Sequence, residues 1–316
     1  MTPDRNLVLV HTDGYQDVAD FQEIAKYVQE LAPDIEVFIA SNDIPSSTTR
    51  RRAARRPTLV FSPGNLLEFR PIRGKIYAGR AIPKLEQLSR FKAAGLPVPA
   101  FAEISPDVVL PPQTFGPLVV VKPGFSAASH GQHMTLTRRD AVRFQSRESY
   151  PSDHPGRYGP MFAQRFIDTG PFINHHRVLT LFGVPLLAFR TTSQAERPPL
   201  DSNEDVLANI SMKARRRDGP IAREFTSNAD VLELARRTYS ALPEIALQGV
   251  DIIREEKTEK LYVLEANPGG NTWIFSKGDM TARLKATLGT ERLTDQFDAF
   301  ETAAKVLIER TRAEAK

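Results

Sequence analysis

Between Gly249 and Asn271 the sequence runs GVDIIREEKTEKLYVLEANPGGN. Two apolar stretches flank a polar connection centred near Thr258, so a symmetric hairpin sets Asp251 opposite Glu265. Strand alternation places Asn267, two residues on, over the same face as Glu265. Two carboxylates and an amide oxygen then converge on strands that are otherwise apolar. A carboxylate buried there without compensation is costly, and a cation offsets the cost. Oxygen ligands alone, and few of them, suit Mg²⁺ that completes its shell with phosphate oxygens and water. The competing reading is a strand whose polar residues face solvent, with Pro268, Gly269 and Gly270 as a plain turn.

Several other residues stand where a ligand would find them. Lys84 falls in the first turn of the helical segment Pro83 to Ala94, where the macrodipole disfavours a cation unless an anion is present. Lys122 directly follows the apolar run Leu118 to Val121. Arg177 and Arg190 emerge at the edges of apolar runs, where rim ion pairs are the plain reading. His11, Thr12, Asp13 and Gly14 follow the first strand, where ligands gather in parallel α/β sheets, although a turn accounts for them equally.

These groups need elements to carry them. Leu7 to Val10, a helix with Val18, Phe21, Ile24, Ala25, Val28 and Leu31 in register, and Ile35 to Ala40 make a β-α-β opening. Thr58 to Phe61 and Lys75 to Tyr77 extend it into a small open α/β layer. The helix carrying Leu85, Leu88 and Phe91 ends at Gly95, and Pro97 and Pro99 mark a boundary. Beyond it Leu118 to Val121, Met161 to Ile167, Val178 to Leu181 and Pro185 to Phe189 suggest antiparallel sheet, the last two joined as a hairpin across Phe182 and Gly183. A helix from Asp230 to Leu242 precedes the carboxylate hairpin, and a closing helix sets Phe297, Phe300, Ala304 and Leu307 in register. There is no internal repeat.

Composition removes several possibilities. The 316 residues contain no cysteine, which excludes disulfides, thiolate nucleophiles and Cys-ligated zinc. No apolar run is long enough to span a bilayer and no basic segment followed by an apolar one opens the chain, so no membrane partner is expected and the cytoplasm is the expected location. A net charge of +4 favours anionic partners without choosing among them. The basic run Arg50 to Arg56 has no interleaved aromatic residues to stack bases, so nucleic acid is not an expected partner.

At this point the residues form a pattern. GVD and LEANPGG resemble the metal-binding end of the ATP-grasp superfamily, in particular the carboxylate-amine ligase branch with ribosomal-protein glutamate ligases, glutathione synthetases and D-alanine ligases. PKLEQLSRFKAAGLPVP, GPLVVVKP, FAQRFI, HRVLTLFGVPLLAFR and ANIS occur in the order that branch has them, so the resemblance covers roughly residues 82–273. It implies an α/β protein with α+β lobes: an N-terminal open α/β domain (residues 1–81), a small ATP-grasp subdomain with a phosphate-covering loop (82–160) and a C-terminal subdomain with the metal site (161–316). It implies Asp251, Glu265 and Asn267 as metal ligands and Lys84 and Lys122 as the phosphate-binding lysines. The small-residue loop from Gly124 through Ser126 to Gly131 becomes a lid over the phosphates, with fewer glycines than is usual and with His130 and His133 at its far end. Gln164, Arg165 and Ile167 fall at the adenine-holding hinge, where Arg165 departs from the acid common there. Asp168 is left as the ribose partner, though it also suits a turn. Arg177, Arg190 and Asn209 match groups around the γ-phosphate and substrate carboxylate. The basic residues Lys213 to Arg217 follow.

The resemblance implies ATP and Mg²⁺ as cofactors, and as co-substrates a small-molecule or peptide carboxylate and an amine. The γ-phosphoryl passes to the carboxylate, an amine displaces phosphate from the acylphosphate, and an amide results, with positioning and electrostatics supplying the catalysis. A homodimer is compatible with such a chain. The alternatives are an ATP-grasp kinase acting on a hydroxyl or a histidine, and a nucleotide-binding protein without turnover.

Overall fold

The computed structural model describes residues 2–125, 133–210, 220–268 and 272–316. Arg5–His11 (β1), Ile35–Ser41 (β2), Thr58–Ser62 (β3) and Lys75–Ala78 (β4) form a parallel sheet in the order β2-β1-β3-β4, with helices Val18–Leu31 (α1) and Ser47–Ala53 (α2) in its crossovers. Strands buried on both faces need to be apolar throughout, which Leu7, Val8, Leu9 and Val10 satisfy. Asp17 begins α1 by accepting the Ala19 N–H, and Phe21, Ile24 and Val28 form the helix's buried stripe.

Helix Lys84–Ala93 (α3) follows. Then Phe101–Glu103 (β5), the short helix Pro112–Phe115 (α4), Leu118–Pro123 (β6), Thr135–Arg138 (β7) and Met161–Arg165 (β8) build an antiparallel sheet in the order β5-β8-β6-β7. The third sheet is formed by Asn174–Leu181 (β9), Val184–Ser193 (β10), Ile221–Phe225 (β11), Leu247–Arg254 (β12) and Leu261–Asn267 (β13), in the order β11-β10-β9-β12-β13. Helices Glu204–Ala208 (α5), Ala229–Ala241 (α6), Asp279–Leu288 (α7) and Ala299–Glu314 (α8) complete the chain. The turn between β9 and β10 places Phe182 at φ 51° and Gly183 at φ 84°, the left-handed pair that a two-residue hairpin needs.

Met161–Arg165 is an inner strand of the middle sheet, between β5 and β6. Helix α3 joins the third sheet: Phe91 packs with Val231, Leu234, Val250 and Val263, and the Gln87 side chain accepts the Ala266 N–H at 2.9 Å. The physical reason is that the apolar face of α3 finds its partners on α6 and β13. The N-terminal layer likewise shares one core with the third sheet, through Phe21, Leu179, Phe189, Trp273 and Phe300. No helix among the described residues is long and apolar enough to cross a membrane.

Candidate active site

The carboxylate hairpin carries an irregularity that decides its chemistry. Near the turn, Arg254 pairs with Leu261 and Ile252 with Val263; nearer the site, Asp251 pairs with Glu265 and Gly249 with Asn267. Leu264 is the extra residue. Without that bulge the ladder from the turn would set Asp251 against Leu264 and send Glu265 to the other face. With it, both carboxylates and Asn267 share one face, while Val250, Ile252 and Val263 face α6 in the core. Gly249 keeps this face low, since a Cβ there would lie 2.9 Å from Thr272 Cγ2 and 3.6 Å from Arg177 Cδ.

On the adjacent strand Arg177 lies opposite Asp251. Its Nη2 donates to Asp251 Oδ2 at 2.8 Å and its Nε to Oδ1 at 2.5 Å, a planar fork on a carboxylate that is only 8% exposed. The Asn267 amide donates to Asp251 Oδ2 at 3.2 Å and to the Gly249 carbonyl at 3.0 Å. Lys84 Nζ stands 2.7 Å from Glu265 Oε2. It gets there because the Lys84 N–H at the start of α3 donates to the Gly124 carbonyl at 2.8 Å, while the Gly124 N–H donates to the Pro160 carbonyl at 2.7 Å. A Cβ on Gly124 would come to 3.0 Å from both Leu85 Cδ1 and Pro160 O, tighter than side chains ordinarily pack, so glycine suits the close approach of helix and strand.

Lys122, at the end of β6, completes the group from the middle sheet. Burial, reinforced by the Lys84 charge, pushes its ammonium down to about 8, although Glu265 and Asp251 act the other way. Burial would raise the Glu265 carboxyl, but Lys84 outweighs it, with Lys122 and Arg177 behind, and holds the group well below the ordinary range. Among the described residues no three His, Cys, Asp or Glu side chains cluster as a metal cage. Two carboxylates and an amide fit an ion that draws its remaining ligands from phosphate and water.

The hinge residues divide by strand parity. Gln164 and Lys122 project from the same face of the middle sheet, since Gln164 pairs with Val120 and Lys122 with Phe162. Gln164 is 2% exposed and its Nε2 has no partner among the described residues. Arg165 instead reaches Glu255 at 2.8 Å, and its backbone N–H is taken by the Ala100 carbonyl. Ile167 is buried. Asp168 Oδ1 accepts from Arg197 Nη2 at 2.9 Å and from the Gly170 N–H at 3.0 Å, the work of a turn former.

Two of the sequence candidates make no contact with the Asp251 and Glu265 carboxylates among the described residues. Arg190 pairs with His176 and Glu224 across the sheet, its Nη1 3.7 Å from Glu224 Oε1, on the face opposite Arg177. The cause is a second bulge, at Leu186. A regular two-residue hairpin would have put Arg190 beside His175, on the Arg177 face; the extra residue turns it over. Asn209 follows the short α5, where its amide donates to the Asp205 carbonyl at 2.7 Å, and no contact among the described residues joins it to the carboxylates. Ser126, His130 and Lys213 to Arg217 lie outside the described residues, and His133 meets His154 edge-on at 4.5 Å.

One side chain on the site face has no counterpart among the sequence candidates. His175, two residues before Arg177, projects from that face, and its imidazole is pushed down by burial, with Arg177 and Arg223 adding to the shift against Asp251 and Glu265. The period-two spacing His175-x-Arg177 is the signal that would have found it.

No protein-family model and no curated protein matches the sequence. Solved structures do match. The ATP-grasp ligase PsnB complexed with minimal precursor is similar at 16% identity over 98% of this chain and 100% of that one, with a TM-score of 0.53. The same ligase with a phosphomimetic variant of the minimal precursor, Mg and ADP is similar at 16% identity over 98% and 99%, with a TM-score of 0.52. D-cycloserine synthetase DcsG is similar at 13% identity over 96% and 99%, with a TM-score of 0.51. The likeness runs the length of the chain, and the fold is ATP-grasp-like.

Proposed function

We propose that the chain is a Mg-ATP-dependent ligase that activates a carboxylate as an acylphosphate and joins it to an amine. The observation that carries this reading is the meeting of Asp251, Glu265 and Asn267 from one sheet with Lys84 and Lys122 at the junction with another. Opposed carboxylates and lysines of that kind suit a polyphosphate bridged to a divalent cation. The PsnB complex with Mg and ADP supports the same reading by analogy of fold.

In this mechanism Lys84 and Lys122 hold phosphate oxygens as point charges, and Arg177 turns its fork toward the γ-phosphate. Asp251, Glu265 and Asn267 would hold Mg²⁺, which would supply positive charge against the phosphates. A substrate carboxylate oxygen attacks the γ-phosphorus and ADP leaves. The amine then attacks the acyl carbon, phosphate leaves, and the amine's proton passes to solvent. No protein nucleophile is needed, in keeping with a chain without cysteine. PsnB is described with a precursor and DcsG as a synthetase, and between them they support a peptide or small-molecule acid as substrate.

The test is incubation with Mg-ATP and hydroxylamine across the common amino acids, dicarboxylic acids and acidic peptides. ADP, phosphate and a hydroxamate formed together are expected with the right acid. A product that keeps the transferred phosphate as a stable ester would assign the chain to phosphoryl transfer instead.

A further inference from the structure

We propose that Arg177 and Lys84 act as internal counter-ions that occupy Asp251 and Glu265 until a polyphosphate draws them off, so that divalent metal is admitted only together with nucleotide. The inference rests on the ligase reading above and deepens it: the same residues that receive ATP also close the metal site in its absence.

The hydrogen bonds carry the argument. Both oxygens of Asp251 are engaged, Oδ1 by Arg177 Nε and Oδ2 by Arg177 Nη2 together with the Asn267 amide. Glu265 Oε2 is engaged by Lys84 Nζ. Asn267 presents its nitrogen to Asp251, so its oxygen faces a metal there only after the amide turns over. A guanidinium that forks a carboxylate is not free to fork a phosphate.

Three entries can then be compared. A divalent cation arriving alone must displace a guanidinium and an ammonium, and it is left beside two unpaired cations with Lys122 close by. A polyphosphate arriving alone strips Asp251 and Glu265 of their partners and faces them as like charges. When the two arrive together, each carboxylate exchanges a cation for the metal, and each cation exchanges a carboxylate for a phosphate oxygen. Only the joint entry leaves no charge unpaired, which makes the coupling reciprocal: each ligand raises the affinity for the other.

The prediction is contrary to intuition, because deleting a cation should create a metal site. Mn²⁺ binding is read by the loss of the free-ion EPR signal, for the whole chain at pH 7.5, with and without AMP-PNP, beyond the loss that AMP-PNP causes in the absence of protein. The wild-type protein is expected to take up Mn²⁺ weakly alone and strongly with AMP-PNP. Lys84→Met, at a partly exposed helix start, and Arg177→Met should each bind Mn²⁺ alone at least roughly tenfold more tightly than wild type, as removal of a neighbouring unit charge implies. Arg177→Lys, which keeps the charge, should stay near wild type. Wild-type binding of Mn²⁺ alone as tight as with AMP-PNP, or neither Met variant improving on it, overturns the counter-ion proposal. Failure to detect Mn²⁺ in any variant even with AMP-PNP overturns the metal-site reading itself, and the counter-ion proposal with it.

Discussion

Replacing Lys122 by methionine should make the ligand-free protein more stable while weakening its hold on nucleotide. Lys122 is a cation that folding removes from water, and its ammonium sits at about 8 where an exposed lysine has 10.5. That difference is worth ~3 kcal/mol between the two protonation states. Because the side chain keeps some contact with solvent, about half of it, ~1.5 kcal/mol, is the expected gain. Methionine retains the stem, including the approach to the Phe162 ring, which Lys122 Nζ makes at 5.9 Å. The sign with pH follows from a depressed lysine. Below pH 8 the folded protein bears the full cost of the buried charge; between 8 and 10.5 the folded form has lost its proton while the unfolded chain keeps its own, and the cost disappears. Urea unfolding of both proteins at pH 7 and pH 10 measures the difference directly, and groups common to both cancel. A variant no more stable at pH 7, or an advantage that does not shrink towards pH 10, would refute the reasoning, and calorimetry with AMP-PNP and Mg²⁺ should show the loss of affinity.

Asp251→Asn leaves the Arg177 guanidinium without its carboxylate and should lower ligand-free stability by ~2–3 kcal/mol, read from thermal or urea unfolding. Gln164→Leu removes a buried amide whose Nε2 has no partner among the described residues, so stability should hold or rise slightly while AMP-PNP affinity falls by ~1 kcal/mol; unchanged affinity would remove Gln164 from the nucleotide site. Arg190→Ala should leave AMP-PNP affinity within about twofold of wild type, since that side chain faces Glu224 across the sheet, and a larger loss would contradict the assigned register. The Glu244 carboxyl, held at about 2 chiefly by its hydrogen bond from Arg90, supports the fold fully above 4.5, and that support is lost as pH falls towards 2; Glu244→Gln should therefore flatten the acid limb of the stability profile.

The sequence was most informative where chemistry and period agreed. Apolar runs around Asp251 and Glu265 marked a hairpin, and the period-two pattern put the acids and Asn267 on one face. Even there the agreement depended on Leu264, because a bulge is a packing outcome that a short apolar strand does not announce. At Leu186 the same kind of irregularity worked in reverse and carried Arg190 away from Arg177. Counting residues along a strand gives parity only while the ladder is regular. The ion pairs Arg177–Asp251 and Lys84–Glu265 were also out of reach, since they join residues 74 and more than a hundred positions apart. Met161–Arg165 was readable as a strand, but which sheet would take it depended on partners as distant as Phe101.

The last helix has a consequence for how the molecule is made. Helix α8 lies against α1, and its C-terminal end is fastened to the first layer by Arg312 on Asp34 at 2.7 Å, by Tyr77 on Glu314, and by Thr58 and Lys316 exchanging backbone hydrogen bonds. Leu7, Phe21 and Phe61 share their core with Phe300, Ala304 and Leu307 of α8 and with Leu179, Phe189 and Trp273 from elsewhere in the second half of the chain. During synthesis the first eighty residues therefore leave the ribosome with one flank uncovered, and they must wait for more than two hundred others before they can close. A fragment containing β1 to β4 alone should behave as a sticky, partly ordered intermediate, and α8 supplied as a separate peptide should quiet it only in part, because Leu179, Phe189 and Trp273 would still be missing from its core.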